Sequence, residues 1–190
     1  MLPILFLPML GLRSGKDTAK TYFGDVSFLF IAAFSLASAM KAVNLHKRLA
    51  LLCLRLFGTK PLGLLCGFAI PAFFLSLFMS NPGTTALLVP LAEGVIEATL
   101  DTIAEEDKES RDAMNHFAKG LILAVGYSAT IGGCGTLVGT PQNGVLQQYT
   151  VDDFDYNIDF GKWMLAFVPM GLCLLAANVF ILYKVYVKKA

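Results

Sequence analysis

Two short polar runs interrupt long apolar stretches of the chain, and they constrain its fold more than any other feature. The first is Ser80-Asn81-Pro82-Gly83-Thr84-Thr85, set between the apolar residues 62–79 and the shorter apolar run 86–92. The second opens with Gly132-Gly133-Cys134-Gly135 and continues through Gly139-Thr140-Pro141-Gln142-Asn143, following the apolar run 117–131. Both contain glycine and small hydroxyl or amide side chains. Backbone that leaves helical geometry inside lipid exposes unpaired N–H and C=O groups, each costing several kcal/mol. Such breaks persist only where protein, water or a ligand satisfies them.

The lipid setting follows from composition. Of 190 residues, 56% are hydrophobic and only 15% charged, too few polar groups to cover a water-facing surface. Disordered, collagen-like and disulfide-scaffold classes fall away on the same figures. A net charge of +1 argues against a nucleic-acid partner. Cys53, Cys66, Cys134 and Cys173 lie singly in apolar runs and read as small buried hydrophobes. His46 and His116 sit in charged flanks and read as interfacial. Residues 1–12 have no basic n-region or cleavage site, and read as the tail of a span whose beginning is missing.

Along the chain, 13–24 reads as a polar loop and 25–40 as a span whose small residues (Ala32, Ala33, Ser35, Ala37, Ser38, Ala39) favour close helix packing. Residues 41–60 alternate cations with Leu and Ala, which suits a helix lying in the interface. The run from Gly83 ends at Glu93 and Glu97. Counted to residue 92 it rises only ~15 Å, against a hydrocarbon core of ~30 Å. A re-entrant helical hairpin with its tip at 80–85 therefore fits better than two ordinary spans. Residues 100–116 read as a charged loop, 117–149 as a broken helix, 152–159 as an acidic loop and 163–187 as a final span, with Trp163 an interfacial anchor. The cations of 41–60 and Lys184, Lys188 and Lys189 place those ends in the cytoplasm and the acidic loop outside.

The breaks have a chemistry. Ser80 or Asn81 can cap the returning helix, with Pro82 at its first position, where a missing N–H costs least. A half-helix N-terminus suits a carboxylate or sulfate. Carbonyls exposed before the break, with Ser76 and Ser80 one turn apart, suit a sodium ion. At the second break, Thr136, Thr140 and Asn143 offer oxygen ligands. Paired broken helices of this kind are the best sequence pointer to a secondary-transport site. No Ser/His, paired-Asp or HExxH constellation lies in the spans, so the chain does not read as an enzyme.

The residues 44–51, the run from Ser76 through Ser80-Asn81 to Pro90, and the run from Tyr127 to Asn143 together resemble the divalent anion/sodium symporter family, the sodium-coupled dicarboxylate, citrate and sulfate cotransporters. That resemblance implies an all-α membrane protein of two inverted repeats, with a scaffold that dimerises and a transport domain that moves as an elevator. These residues would form the N-terminal repeat alone: scaffold and interfacial linker helix at 1–60, a transport half at 61–149 (hairpin 61–100, broken helix 117–149) and a last helix at 163–187. By motif position, Ser76, Ser80, Asn81 and Gly139 would bind the coupling sodium ion, with no other cofactor. Asn81, Thr140 and Asn143 would face a small anionic di- or tricarboxylate, and Thr84 would replace the hydroxyl lost where Pro82 stands for the signature threonine. The expected setting is multi-pass in the plasma membrane, as a homodimer when full length. A sulfate transporter of the same family, or a short non-transporting subunit paired with a full-length relative, are the alternatives.

Overall fold

The computed structural model describes residues 2–22, 25–58, 60–103 and 107–188. Lys189 lies outside them, as do the side chains of Ala33, His46 and Cys53. The described residues form α-helices: α1 Leu2–Met9, α2 Gly15–Tyr22, α3 Asp25–Ala42, α4 Leu45–Phe57, α5 Pro61–Ser76, α6 Asn81–Leu100, α7 Lys108–Gly133, α8 Pro141–Phe154 and α9 Phe160–Tyr186. Helix starts follow local chemistry. Pro61, Pro82 and Pro141 sit in first turns, where no N–H partner is needed. The Ser110 side chain, and then its N–H, which donates to the Asp107 carboxylate at 3.1 Å, hold the Asp107 carboxyl below the usual range. Asp159 caps α9 by accepting from the Gly161 N–H at 2.8 Å.

The centre of the bundle is α5. Leu65, Phe68, Ala69, Ala72 and Phe73 are fully buried, and the helix packs on α7 and α4, with α9 and α6 completing its surround. Approach is close because small residues permit it. A side chain at Gly132 would run into the Phe73 backbone, and one at Gly120 would lie 2.6 Å from Tyr186. Outward, the bundle is apolar: Leu165 on α9 and Leu56 on α4 are 79% and 71% exposed. A surface of this kind suits lipid rather than water. Among the described residues, α6 and α9 are long and apolar enough to cross a membrane.

Several boundaries differ from expectation. Helix α6 continues past Glu93 and Glu97 to Leu100, 20 residues or about 30 Å, because its backbone bonds persist where its apolar face has ended. The polar stretch 13–24 contains α2, capped where the Ser14 hydroxyl accepts from the Asp17 N–H at 3.1 Å. The charged loop is shorter than 100–116, since α7 begins at Lys108. Ala32, Ser35, Ser38 and Ala39 are exposed rather than packed, because α3 meets chiefly α4 and, more sparsely, α8. Cys134 and Cys173 are exposed and Cys66 is half-buried, so the thiols read as buried lie largely at the outer surface. Exposed His116 lies against Tyr186 with the rings tilted and their centres 4.9 Å apart.

Candidate functional site

The two polar breaks meet. The C-terminal ends of α5 and α7 face the N-terminal ends of α6 and α8, and four side chains fasten them. The Ser76 hydroxyl donates to Asn81 Oδ1 at 2.8 Å, bridging the ends of α5 and α6. The buried Thr136 hydroxyl donates to the Leu77 carbonyl and accepts from the Gly139 N–H at 3.1 Å, joining one break to the other. Asn143 Nδ2 donates to the carbonyls of Gly133 and Thr136 at 2.9 and 2.7 Å, drawing the second break into a closed loop. The Trp163 indole N–H reaches the Cys134 carbonyl at 3.0 Å. Backbone groups that would be orphaned in lipid are thereby satisfied.

One spot beside Gly139 gathers oxygen. A carbon placed there would lie 2.5 Å from the Gly133 carbonyl oxygen and 2.9 Å from that of Ser76. The Ser76 carbonyl accepts no hydrogen bond among the described residues. These groups are neutral oxygens at the negative ends of two helices, an environment suited to a small monovalent cation. The positive end of α6 is less open than its sequence suggests. Pro82 has no N–H, and Ser80 takes the next two, its hydroxyl accepting from Gly83 at 3.3 Å and its carbonyl from Thr84 at 2.9 Å.

Of the residues singled out in the sequence, the structure brings Ser76, Asn81 and Gly139 together. Ser80 is exposed beside them as the cap of α6. Thr140 is half-buried at the start of α8, its hydroxyl bonded to the Gln142 side chain. Thr84 and Asn143 are placed differently. Thr84 is fully buried, its hydroxyl without a partner among the described residues, on the stripe with Leu88 and Ala92 that faces the core. Both Asn143 donor bonds serve the loop itself. Asn81 instead opens, with Pro82, Thr85, Tyr127 and Thr130, onto a cleft of about 770 Å³ between α6 and α7.

Thr136, read as an oxygen ligand, is instead the fastener between the breaks. Trp163, read as an interfacial anchor, is 3% exposed and stacks on Phe167 with ring centres 4.5 Å apart. A Trp163→Phe protein keeps the aromatic bulk and loses the donor to Cys134. Its expected destabilisation is about 1–3 kcal/mol, read as a lower thermal midpoint, with faster maleimide alkylation of Cys134. An unchanged midpoint and alkylation rate would show that the loop closes without the indole.

Interrupted helices fastened end to end inside an apolar bundle, in which two helices are long and apolar enough to cross a membrane, are consistent with a helical membrane protein. The family model for citrate transporters matches residues 1–190, and the chain belongs to that family. It is 37% identical over 175 residues to the sodium-dependent dicarboxylate transporter SdcS of Staphylococcus aureus strain USA300, and 36% identical to SdcS of strain NCTC 8325. Those alignments cover 92% of this chain and 33% of each relative, so the chain spans about a third of the length of the curated relatives it matches.

Proposed function

We propose that the chain supplies one side of the binding site of a sodium-coupled symporter for di- or tricarboxylates such as succinate or citrate. The observation that carries this reading is the meeting of Ser76, Asn81 and Gly139 where two helix C-termini and two helix N-termini face one another. The relatives' sodium-dependent dicarboxylate transport supports it.

In this reading sodium binds among the Ser76 and Gly133 carbonyls and Asn81 Oδ1, with Ser80 at the edge. The ion steadies the 80–85 tip before the anion arrives. The anion then meets Asn81 Nδ2 and Thr140, while Thr84 and Asn143 act from behind, in the core and in the loop. Residues 61–100 form a re-entrant hairpin and 117–149 the broken helix of a moving half, with 163–187 its last helix. Residues 1–60 belong to a dimerising scaffold, in one of two inverted repeats. The moving half works as an elevator in the plasma membrane. Each positive charge carried inward across 100 mV contributes ~2.3 kcal/mol.

The test is thermal unfolding of the purified protein in sodium chloride against choline chloride. Sodium at a hundred times its dissociation constant stabilises by ~2.7 kcal/mol. Succinate or citrate adds a further rise only when sodium is present. Equal midpoints in the two salts would overturn the reading.

A further inference from the structure

A second, smaller cavity of about 240 Å³ lies beside the tip, and the Lys41 side chain lines it. Its walls are α3 (Phe34, Ser38, Lys41), the tip at Ser80, and the second break at Gly139 and Pro141. Lys41 was grouped by sequence with the interfacial cations, yet it shares this cavity with two residues of the candidate sodium site. Among the described residues it forms no ion pair.

Charge accounting gives the lysine a task. A dicarboxylate brings two negative charges to a site whose gathered groups are neutral. The N-terminus of α6 has few donors left, because Pro82 has none and Ser80 occupies those of Gly83 and Thr84. Half-buried Phe78 and buried Met79 form one wall of the cavity, while Phe34, Ser38, Lys41 and Ser80 are exposed at its rim, within reach of an incoming anion. An ionisable side chain beside a binding break of a membrane protein is a functional candidate in its own right. The cavity is smaller than the ~300–1,000 Å³ typical of drug-sized ligands, which suits a short-chain carboxylate.

We propose that this cavity is a carboxylate subsite, in which the Lys41 ammonium and the Ser38 and Ser80 hydroxyls hold one carboxylate of the substrate. The proposal rests on the symport reading above for the identity of the anion. It adds a specificity determinant from α3, on the scaffold side of that reading.

Amine acylation followed by mass spectrometry tests it on the purified protein, with the exposed Lys119 and Lys184 as internal references. A carboxylate within ion-pair distance favours the charged, unreactive ammonium. Saturating succinate is therefore expected to slow acylation of Lys41 about fivefold and to leave the references unchanged. Lys41→Gln is expected to raise the half-saturating succinate concentration about tenfold with the sodium response intact, and Lys41→Arg to restore most of the affinity. Unprotected Lys41, or wild-type succinate affinity in Lys41→Gln, would overturn the proposal even where sodium stabilises the protein. Equal protection in sodium and choline would uphold the subsite and overturn the sodium-coupled reading.

Discussion

An Asn81→Ala protein is expected to lose sodium-dependent stabilisation and, with it, sodium-dependent succinate binding. The expectation follows from what one carboxamide bonds and touches. Asn81 Oδ1 accepts from the Ser76 hydroxyl at 2.8 Å. The same side chain abuts Gly133, where a Cβ would overlap it, so it is seated directly on the end of α7. Alanine removes the oxygen proposed to face the cation and leaves the buried Ser76 hydroxyl without its acceptor, which costs about 1–3 kcal/mol. That cost falls on the folded protein with or without the ion, and the loss of ion affinity comes from the missing oxygen. Sodium titration of the thermal midpoint checks this, with helical circular dichroism to confirm that the bundle is formed. Asn81→Asp keeps an oxygen in place and retains a sodium response. A wild-type response in Asn81→Ala would remove Asn81 from the site.

The same residue shows how far local sequence reaches. Ser80-Asn81-Pro82 marks a helix start by cap and proline, and α6 begins at Asn81. Pro141 sits in the first turn of α8 although the Thr140 side chain makes no cap bond, and Asp159 caps α9, which begins at Phe160, three residues before the 163 read from hydropathy. What local pattern does not carry is the partner across the fold. Thr136 and Leu77 are 59 positions apart, and Trp163 and Cys134 are 29 apart. Nothing near Trp163 distinguishes a tryptophan held at a membrane surface from one turned inward to close a loop. Hydropathy likewise fixed the end of the apolar face of α6 at Glu93, but the backbone bonds of a helix are indifferent to that change, and the helix goes on. The small residues of α3 illustrate the converse. They permit close packing, and which surface they meet is decided by the placement of the whole helix.

Gly139→Ala carries the second large effect, and it separates space from conformation. The backbone at Gly139 is not in the left-handed region, so alanine is not excluded by its dihedral angles. It is excluded by room. The added methyl would lie 2.5 Å from the Gly133 carbonyl oxygen and 2.9 Å from the Ser76 carbonyl oxygen. Both are backbone atoms at helix ends, and neither can swing aside as the tip of a flexible side chain can. The methyl also occupies the spot where those oxygens converge. Overpacking of this kind costs about 1–3 kcal/mol, and the sodium response is expected to vanish with it. Gly94→Ala is the matched control. No atom lies within 4 Å of a Cβ at Gly94, in the interior of α6. Alanine there is expected to stabilise by roughly 0.5–1 kcal/mol through helix propensity and to leave sodium binding unchanged. Thermal midpoints of both proteins, titrated with sodium and with choline, distinguish the outcomes. A Gly139→Ala protein that still answers to sodium would mean that the ion is held elsewhere than between the ends of α5 and α7.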